Sequence, residues 1–462
     1  MEQKLIDGGV ELELADLIPE MPSPDQNFGS HPMVQALTEF ETVDGSVVLD
    51  QPDLVERFRQ LKLPDTVASG SPLPSWERRK RGDLSILIEM LGDIESSDGD
   101  EALTGWFSKR EARVSSLAQA ARRPEAVLPF ELADDFMVQI NMIFPHFSEF
   151  LNSQKFLSMR VVAALENGDE AEARDGVRTM LQLARLAGSQ PLLISHLVQV
   201  AMQQVAVSTI WHGLERGLWS EESLASIDKD LCELARGHVD SFARAMNAEV
   251  CVMMIGAADF FRNGGARKMN PAMLQGLGNE DNGFSWMGRS FFQFFVPDGI
   301  WDHNKAFAAE AIYDHSLGPA LRGELEDVES DLTIKPSPRR FLAAMTMPVF
   351  SQIHYRTLHA VIETELAIHS VALERYRIAR GDYPASLDQL VPQFLDEVSV
   401  DLLAEGRPIT YRREGNRYLL YSYGQNRTDD GGETVWRNAA RKRVDPKNGD
   451  WVWGFAHHED RE

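Results

Sequence analysis

The sequence predicts a mainly α protein closed by a C-terminal α+β unit, and three observations carry that reading. Between about 130 and 260, apolar residues recur at helical period. A second helical stretch from about 340 to 380 carries one apolar stripe. After it the period falls to two, with aromatics and a hairpin turn. The expected organisation is a disordered or extended lead-in over 1–30, an α-helical domain over 31–345, a unit of one long helix plus a small antiparallel sheet over 346–456, and a polar tail over 457–462.

The lead-in is acidic, holds prolines and has no apolar core of its own. In "SSDGDEA" (Ser96 to Ala102), Asp and Ser caps precede Trp106 and Phe107, which predicts a helix start. "RRKRGD" (Arg78 to Asp83) is a compact basic run, read as a solvated face. "FLSMRVVAALENGDEAEARDGVRTMLQLARLAG" reads as two helices joined by a tight turn, with Gly168 just past the first and Asp169 capping the second. The next helix runs through "QPLLISHLVQVAMQQVAVSTIWHGLERG", and "SEESLASIDKDLCELA" opens another with a capping-box start. Over 262–340 the sequence suggests loops and short helices, with the aromatics of "SFFQFFVPDGIW" plugging the bundle.

In the later helix, Leu358, Ile362, Leu366, His369, Leu373 and Tyr376 fall on one face, and Gly381 with Pro384 marks its end. "SLDQLV" is a short second helix. "PITYRR" and "RYLLYSYG" alternate as strands around the turn "REGN", and "NRTDDGG" follows as a loop.

Composition limits the function. With 46 Lys and Arg against 71 Asp and Glu, the formal charge is −25. That opposes nucleic-acid binding, which needs a basic face, and docking on anionic lipid. Cys232 and Cys251 form no zinc pattern and fit buried free thiols best, with a single bridge as the alternative. No run of eighteen apolar residues occurs, because His196, Gln199, Gln203 and Gln204 interrupt the nearest one, so no membrane span is expected.

No nucleophile elbow, zinc-protease motif or phosphate loop is present, so no catalytic residues are assigned. His359 with Glu363, and Glu365 with His369, lie one helical turn apart and read as salt bridges or core histidines. His196 and His212 lie among apolar residues, as core or boundary groups. "NRTDDGG" reads as a solvated turn from composition alone. Its clustered Asp429, Asp430 and Glu433 repel one another, which favours either flexibility or a cation.

The C-terminal unit resembles the globular domain of the major pseudopilins of type II secretion systems. The likeness runs from about Leu358 to Trp453, on "AIHSVALERYRIARGDYPASLDQLVP", "GRPITYRREGNRYLLYSYGQN", "DDGG" and "GDWVW". The helical region ahead of it resembles planctomycete-type proteins that join such a region to this unit. The chain departs from the family, and its acidic-glycine loop is one residue longer than the family pattern. Its matching helix is internal rather than an apolar start with a processing site, and Asp401 is separated from Gly406 and Pro408 by "LLAE". The resemblance implies a pseudopilin-like fold and a calcium-binding loop. Carried over, the ligands are the backbone carbonyl of Tyr423, Asn426 where the family has an aspartate, and the carboxylates of Asp429, Asp430 and Asp450.

The resulting expectation is a non-enzymatic, extracytoplasmic structural or binding protein with calcium as its cofactor, associated with a secretion or cell-envelope system and a protein partner. Its anchor would lie upstream of Met1 or have been removed; otherwise the chain is cytoplasmic. The alternative is an enzyme or small-ligand-binding protein with a pocket in the helical domain, where His146, His196, Asp302 and His303 would converge.

Overall fold

The computed structural model describes residues 1–43, 46–64, 71–92, 99–130, 144–256, 298–325, 334, 337, 340–437 and 444–455. Five long helices make its body: α1 (Pro145–Glu166), α2 (Glu170–Ala187), α3 (Leu193–Arg216), α4 (Glu221–Glu249) and α5 (Phe341–Arg380). Their ends have local causes. Asp169 caps α2 by accepting the Glu172 N–H at 3.1 Å, and Ser220 caps α4 by accepting the Ser223 N–H at 3.3 Å. Gly217 and Gly381 stop α3 and α5 in the left-handed conformation, which carries no side-chain penalty at glycine.

Helix α3 is the hub and packs against α1, α2, α4 and α5. Among the described residues it is the one helix long and apolar enough to cross a membrane, and 67% of that stretch is buried inside the protein. Its polar interruptions form a seam with the neighbouring helices. The His196 ring lies between Ser241 Oγ of α4, at 3.0 Å, and Thr357 Oγ1 of α5, at 2.7 Å. Gln203 donates to the Ala360 carbonyl at 2.8 Å, and Ser241 donates to Gln199 at 2.8 Å. Buried polar groups cost free energy unless paired, so these contacts fix how the helices meet.

The lead-in differs from expectation. Residues 1–30 are neither disordered nor simply extended: they carry a helix at Glu2–Asp7 and 3-10 turns at Leu14–Leu17 and Phe28–Ser30. Leu5, Val10 and Phe28 are buried. The segment has no core of its own and borrows one. The Phe28 N–H donates to the Glu125 carbonyl at 2.8 Å, and the Asn27 side chain donates to the Val127 carbonyl at 2.9 Å. "RRKRGD" is also not a solvated face. Its residues are half-buried, Arg81 pairs with Glu215 of α3, and Lys80 Nζ donates to the Ser71 carbonyl at 2.7 Å. "SFFQFFVPDGIW", expected to plug the bundle, lies outside the residues whose side chains are described.

A two-stranded hairpin, β1 (Phe40–Val43) with β2 (Ser46–Leu49), precedes the bundle. The C-terminal unit follows α5 through a 3-10 turn, Leu387–Leu390, into β3 (Thr410–Glu414), β4 (Arg417–Ser422), β5 (Thr434–Trp436), β6 (Val444–Gly449) and β7 (Trp451–Trp453). One antiparallel sheet has the order β3-β4-β7, and β5 pairs with β6 separately. Glu414 opposite Arg417 closes the two-residue turn at Gly415 and Asn416.

The protein is thus mainly α with a C-terminal α+β part. Helix α5 continues unbroken through the expected boundary at 345/346, and one hydrophobic core joins the bundle to the sheet. "RGDYP" is the fastening. Tyr383 donates its hydroxyl to Glu374 of α5 at 2.8 Å and stands edge-on to Tyr418 of β4 at 5.0 Å.

Candidate functional site

A groove opens where β6 and β7 lie against α5 and α3. It has two adjoining lobes, of about 450 Å³ and about 580 Å³. His359 of α5, Glu77, Trp451 of β7, Arg437 and Pro446 line both. Four distant segments therefore meet there: the loop at 75–78, α3, α5 and the C-terminal strands.

Pairing and packing set the chemistry of the floor. His359 Nε2 lies 3.3 Å from Glu77 Oε1, and the ring stands edge-on to Trp451 at 4.4 Å. Burial opposes charge on both partners. The hydrogen bond and mutual attraction outweigh it, so His359 is held above its usual value and Glu77 below. Beneath them, Trp76 donates its indole N–H to Glu363 Oε1 and stacks on Trp453 at 5.4 Å. Glu363 is fully buried and its Oε2 has no partner. Burial pushes this carboxyl up to about 8, with the nearby charge of His359 acting against the shift.

The acidic loop stands behind the β6–β7 edge. The Asp450 carboxylate accepts the Asp430 N–H at 3.3 Å and the Gly432 N–H at 2.7 Å. Asp429 Oδ1 accepts the Tyr421 hydroxyl at 3.0 Å and the Gly431 N–H at 2.9 Å. Asn426 donates to Asp430 Oδ2 at 2.7 Å. The backbone is close-packed here: a side chain at Gly424, whose φ is +69°, would meet the Gly449 carbonyl at 2.4 Å. Burial raises Asp450 to about 6 against its two N–H donors, and the Asp430 and Asp429 charges push the same way.

Hydrogen bonds thus link Asn426 to Asp430 and Asp430 to Asp450 at the acidic loop, with Asp429 adjoining in the chain. The Tyr423 N–H and Ser422 hydroxyl donate to the buried Asp401 at 2.9 Å and 2.8 Å, which anchors β4. The carboxylates of Asp429, Asp430 and Asp450 are hard oxygen donors of the type calcium takes. Asp429 and Asp450 are turned to the loop's own donors. Among the described residues no three His, Cys, Asp or Glu side chains are grouped to share an ion.

The histidines resolve differently. His359 pairs with Glu77 rather than with Glu363 one turn away, while His369 bonds the Glu365 carbonyl at 2.7 Å and accepts the Ser399 N–H at 3.2 Å. His146 faces Gln190 at 3.3 Å, His196 lies in the polar seam and His303 is exposed, so these do not converge. His212 accepts the Gly82 N–H at 3.2 Å. Cys232 and Cys251 are free thiols, and burial pushes them up to about 11 and about 12.

No sequence motif marks the groove. Trp76 and Glu363 are 287 residues apart and meet only through tertiary packing. The one local signal was "GDWVW", whose aromatics close a sheet against the bundle.

Compared with known protein families, curated proteins and solved structures, the chain matches none.

Proposed function

We propose that the chain is a non-enzymatic binding protein that holds a small ligand in the groove between its helical body and its C-terminal sheet. The observation that carries this reading is the groove itself. Walls from four distant segments surround a lobe of about 580 Å³, within the range of small-ligand sites. The interlocked core supports it further, because a pocket between firmly joined parts is largely pre-formed.

Calcium bound by Asn426, Asp429, Asp430 and Asp450 would stabilise the loop behind β7, supplying charge neutralisation and no chemistry on a ligand. An extracytoplasmic role in a secretion or cell-envelope system rests on the pseudopilin-like likeness alone. A second reading, acid–base catalysis in the same groove, rests on the Glu77–His359 pair at its wall.

The test is thermal unfolding of the full chain against a chemically mixed set of sugars, nucleosides, amino acids and organic anions, beside Ala201→Trp. Ala201 lines the larger lobe and is half-exposed, so the indole fills the groove without entering the core. A groove ligand raises the melting temperature of the parent and not of the variant. If no compound separates the two proteins, the reading is wrong.

A further inference from the structure

We propose that the groove takes a small molecule bearing a carboxylate or phosphate group, held by Arg356, Arg437 and Lys447 together with His359. This rests on the binding-protein reading above and names the chemistry of its ligand.

The argument begins with a charge inversion. The chain has 71 acidic residues against 46 basic ones. The larger lobe reverses that balance: among the described residues, Arg356, Arg437, Lys447 and His359 line it, and Glu77 is its one carboxylate. Glu77 is already committed to His359 at 3.3 Å. In the smaller lobe, Asp450 is committed to two backbone N–H groups.

The cations are not committed in the same way. Among the described residues, neither Arg356 nor the Lys447 side chain has a carboxylate partner. Arg437 has, among the described residues, Asp445 alone, at 3.6 Å. Arg356 is exposed on the groove side of α5, one helical turn from His359. An acidic protein could quench such a cluster with its own carboxylates, yet among the described residues around this lobe it does not.

The surrounding neutral groups suit an oxyanion-bearing molecule. Gln204, Gln352 and Gln425 offer amide donors on three sides. Gln204 Nε2 lies 3.5 Å from His359 Nδ1, at the limit of a hydrogen bond and free to turn toward a ligand. Guanidinium forks bind carboxylate and phosphate with two parallel bonds, and Lys447 adds a mobile point charge. Trp451 and Tyr355 supply apolar contact for the rest of the molecule. The lobe's volume, about 580 Å³, lies in the range of small-molecule sites.

The test is isothermal titration of the full chain with citrate, inorganic phosphate, glucose and spermidine, the last two as neutral and cationic probes. Arg356→Glu/Lys447→Glu is compared with Arg57→Glu/Lys229→Glu, which changes net charge equally at exposed positions on other helices. Citrate or phosphate should bind the parent at one site, bind the control within about threefold of it, and bind the groove variant at least tenfold more weakly, as expected when charged hydrogen bonds are lost. Citrate alone would identify a carboxylate ligand, and phosphate alone a phosphate ester. Equal weakening in both variants would reduce the effect to bulk charge and overturn the proposal. Glucose or spermidine binding that Ala201→Trp abolishes, without anion binding, would overturn the anion assignment and leave the binding-protein reading standing. Silence from all four probes would overturn the assignment, and the broader compound set then decides the reading beneath it.

Discussion

Trp211 on α3 donates its indole N–H to the Gly454 carbonyl at 2.8 Å, joining the central helix of the bundle to the residue that follows the last strand. Both groups are buried, and the Trp211 side chain is among the largest fully enclosed in the protein. Trp211→Phe leaves that carbonyl unpaired and a void beside it. The expected loss is about 1–3 kcal/mol, the cost of an unsatisfied buried polar group. Urea unfolding by circular dichroism measures it. A midpoint equal to the parent's would mean the contact fastens nothing.

Glu363 gives stability an alkaline limit. Its folded value, about 8, lies above its ordinary 4.5, so the folded state retains a proton that the unfolded chain has released. Stability from this group is complete below about pH 4.5 and declines as pH rises through about 8. Glu363→Gln mimics the protonated form and can still accept the Trp76 indole N–H. Unfolding measured from pH 6 to 9 should fall for the parent and stay flatter for the variant. Parallel curves would mean that Glu363 does not titrate in that window.

The buried histidines act with the opposite sign. Burial holds His196 at about 3 and His238 at about 4, below their ordinary 6.5. In that interval the unfolded chain binds protons that the folded one refuses, so stability is full above about pH 6.5 and falls with acid. His196→Gln/His238→Gln should lower stability at neutral pH by disturbing the seam, while flattening its decline between pH 6 and 4. A decline as steep as the parent's would place the acid response elsewhere.

The acidic loop gives a test of its own. Calcium that binds the folded loop alone must raise the melting temperature by mass action, and Asp429→Ala/Asp430→Ala must remove the rise. Asp450, raised to about 6, makes the proton a competitor, so the response should be larger at pH 7.5 than at pH 5.5. No shift at millimolar calcium in the parent would leave the loop as a turn closed by its own hydrogen bonds.

Much of the architecture was legible because it is written locally. Gly168 with Asp169, Ser220, Gly217 and Gly381 mark helix ends through properties of single residues, and the "REGN" turn does the same for β3 and β4. What was missed depends on surfaces that are distant in the chain. Leu5 and Phe28 look like parts of a loose tail until the bundle supplies their partners. The basic run at Arg78–Arg81 looks solvated until Glu215 of α3 reaches it. The groove belongs to this class. Glu77, His359 and Trp451 carry no motif together, and only the docking of β7 on α5 makes them neighbours. The Asp429, Asp430 and Asp450 loop was the reverse case, since sequence adjacency and a returning strand already bring its members close.

The polar seam has a consequence for how the molecule measures itself. Apolar helix faces tolerate sliding, because one leucine resembles the next a turn later. His196 against Thr357 and Gln203 against the Ala360 carbonyl tolerate none: displacement by one turn, about 5.4 Å, would strand both pairs. The seam therefore acts as a vernier, indexing α5 against α3. His359 sits on α5 between Thr357 and Ala360, and Gln204 on α3 adjoins Gln203. A ligand in the groove would meet walls whose spacing is graduated by chemistry it never touches.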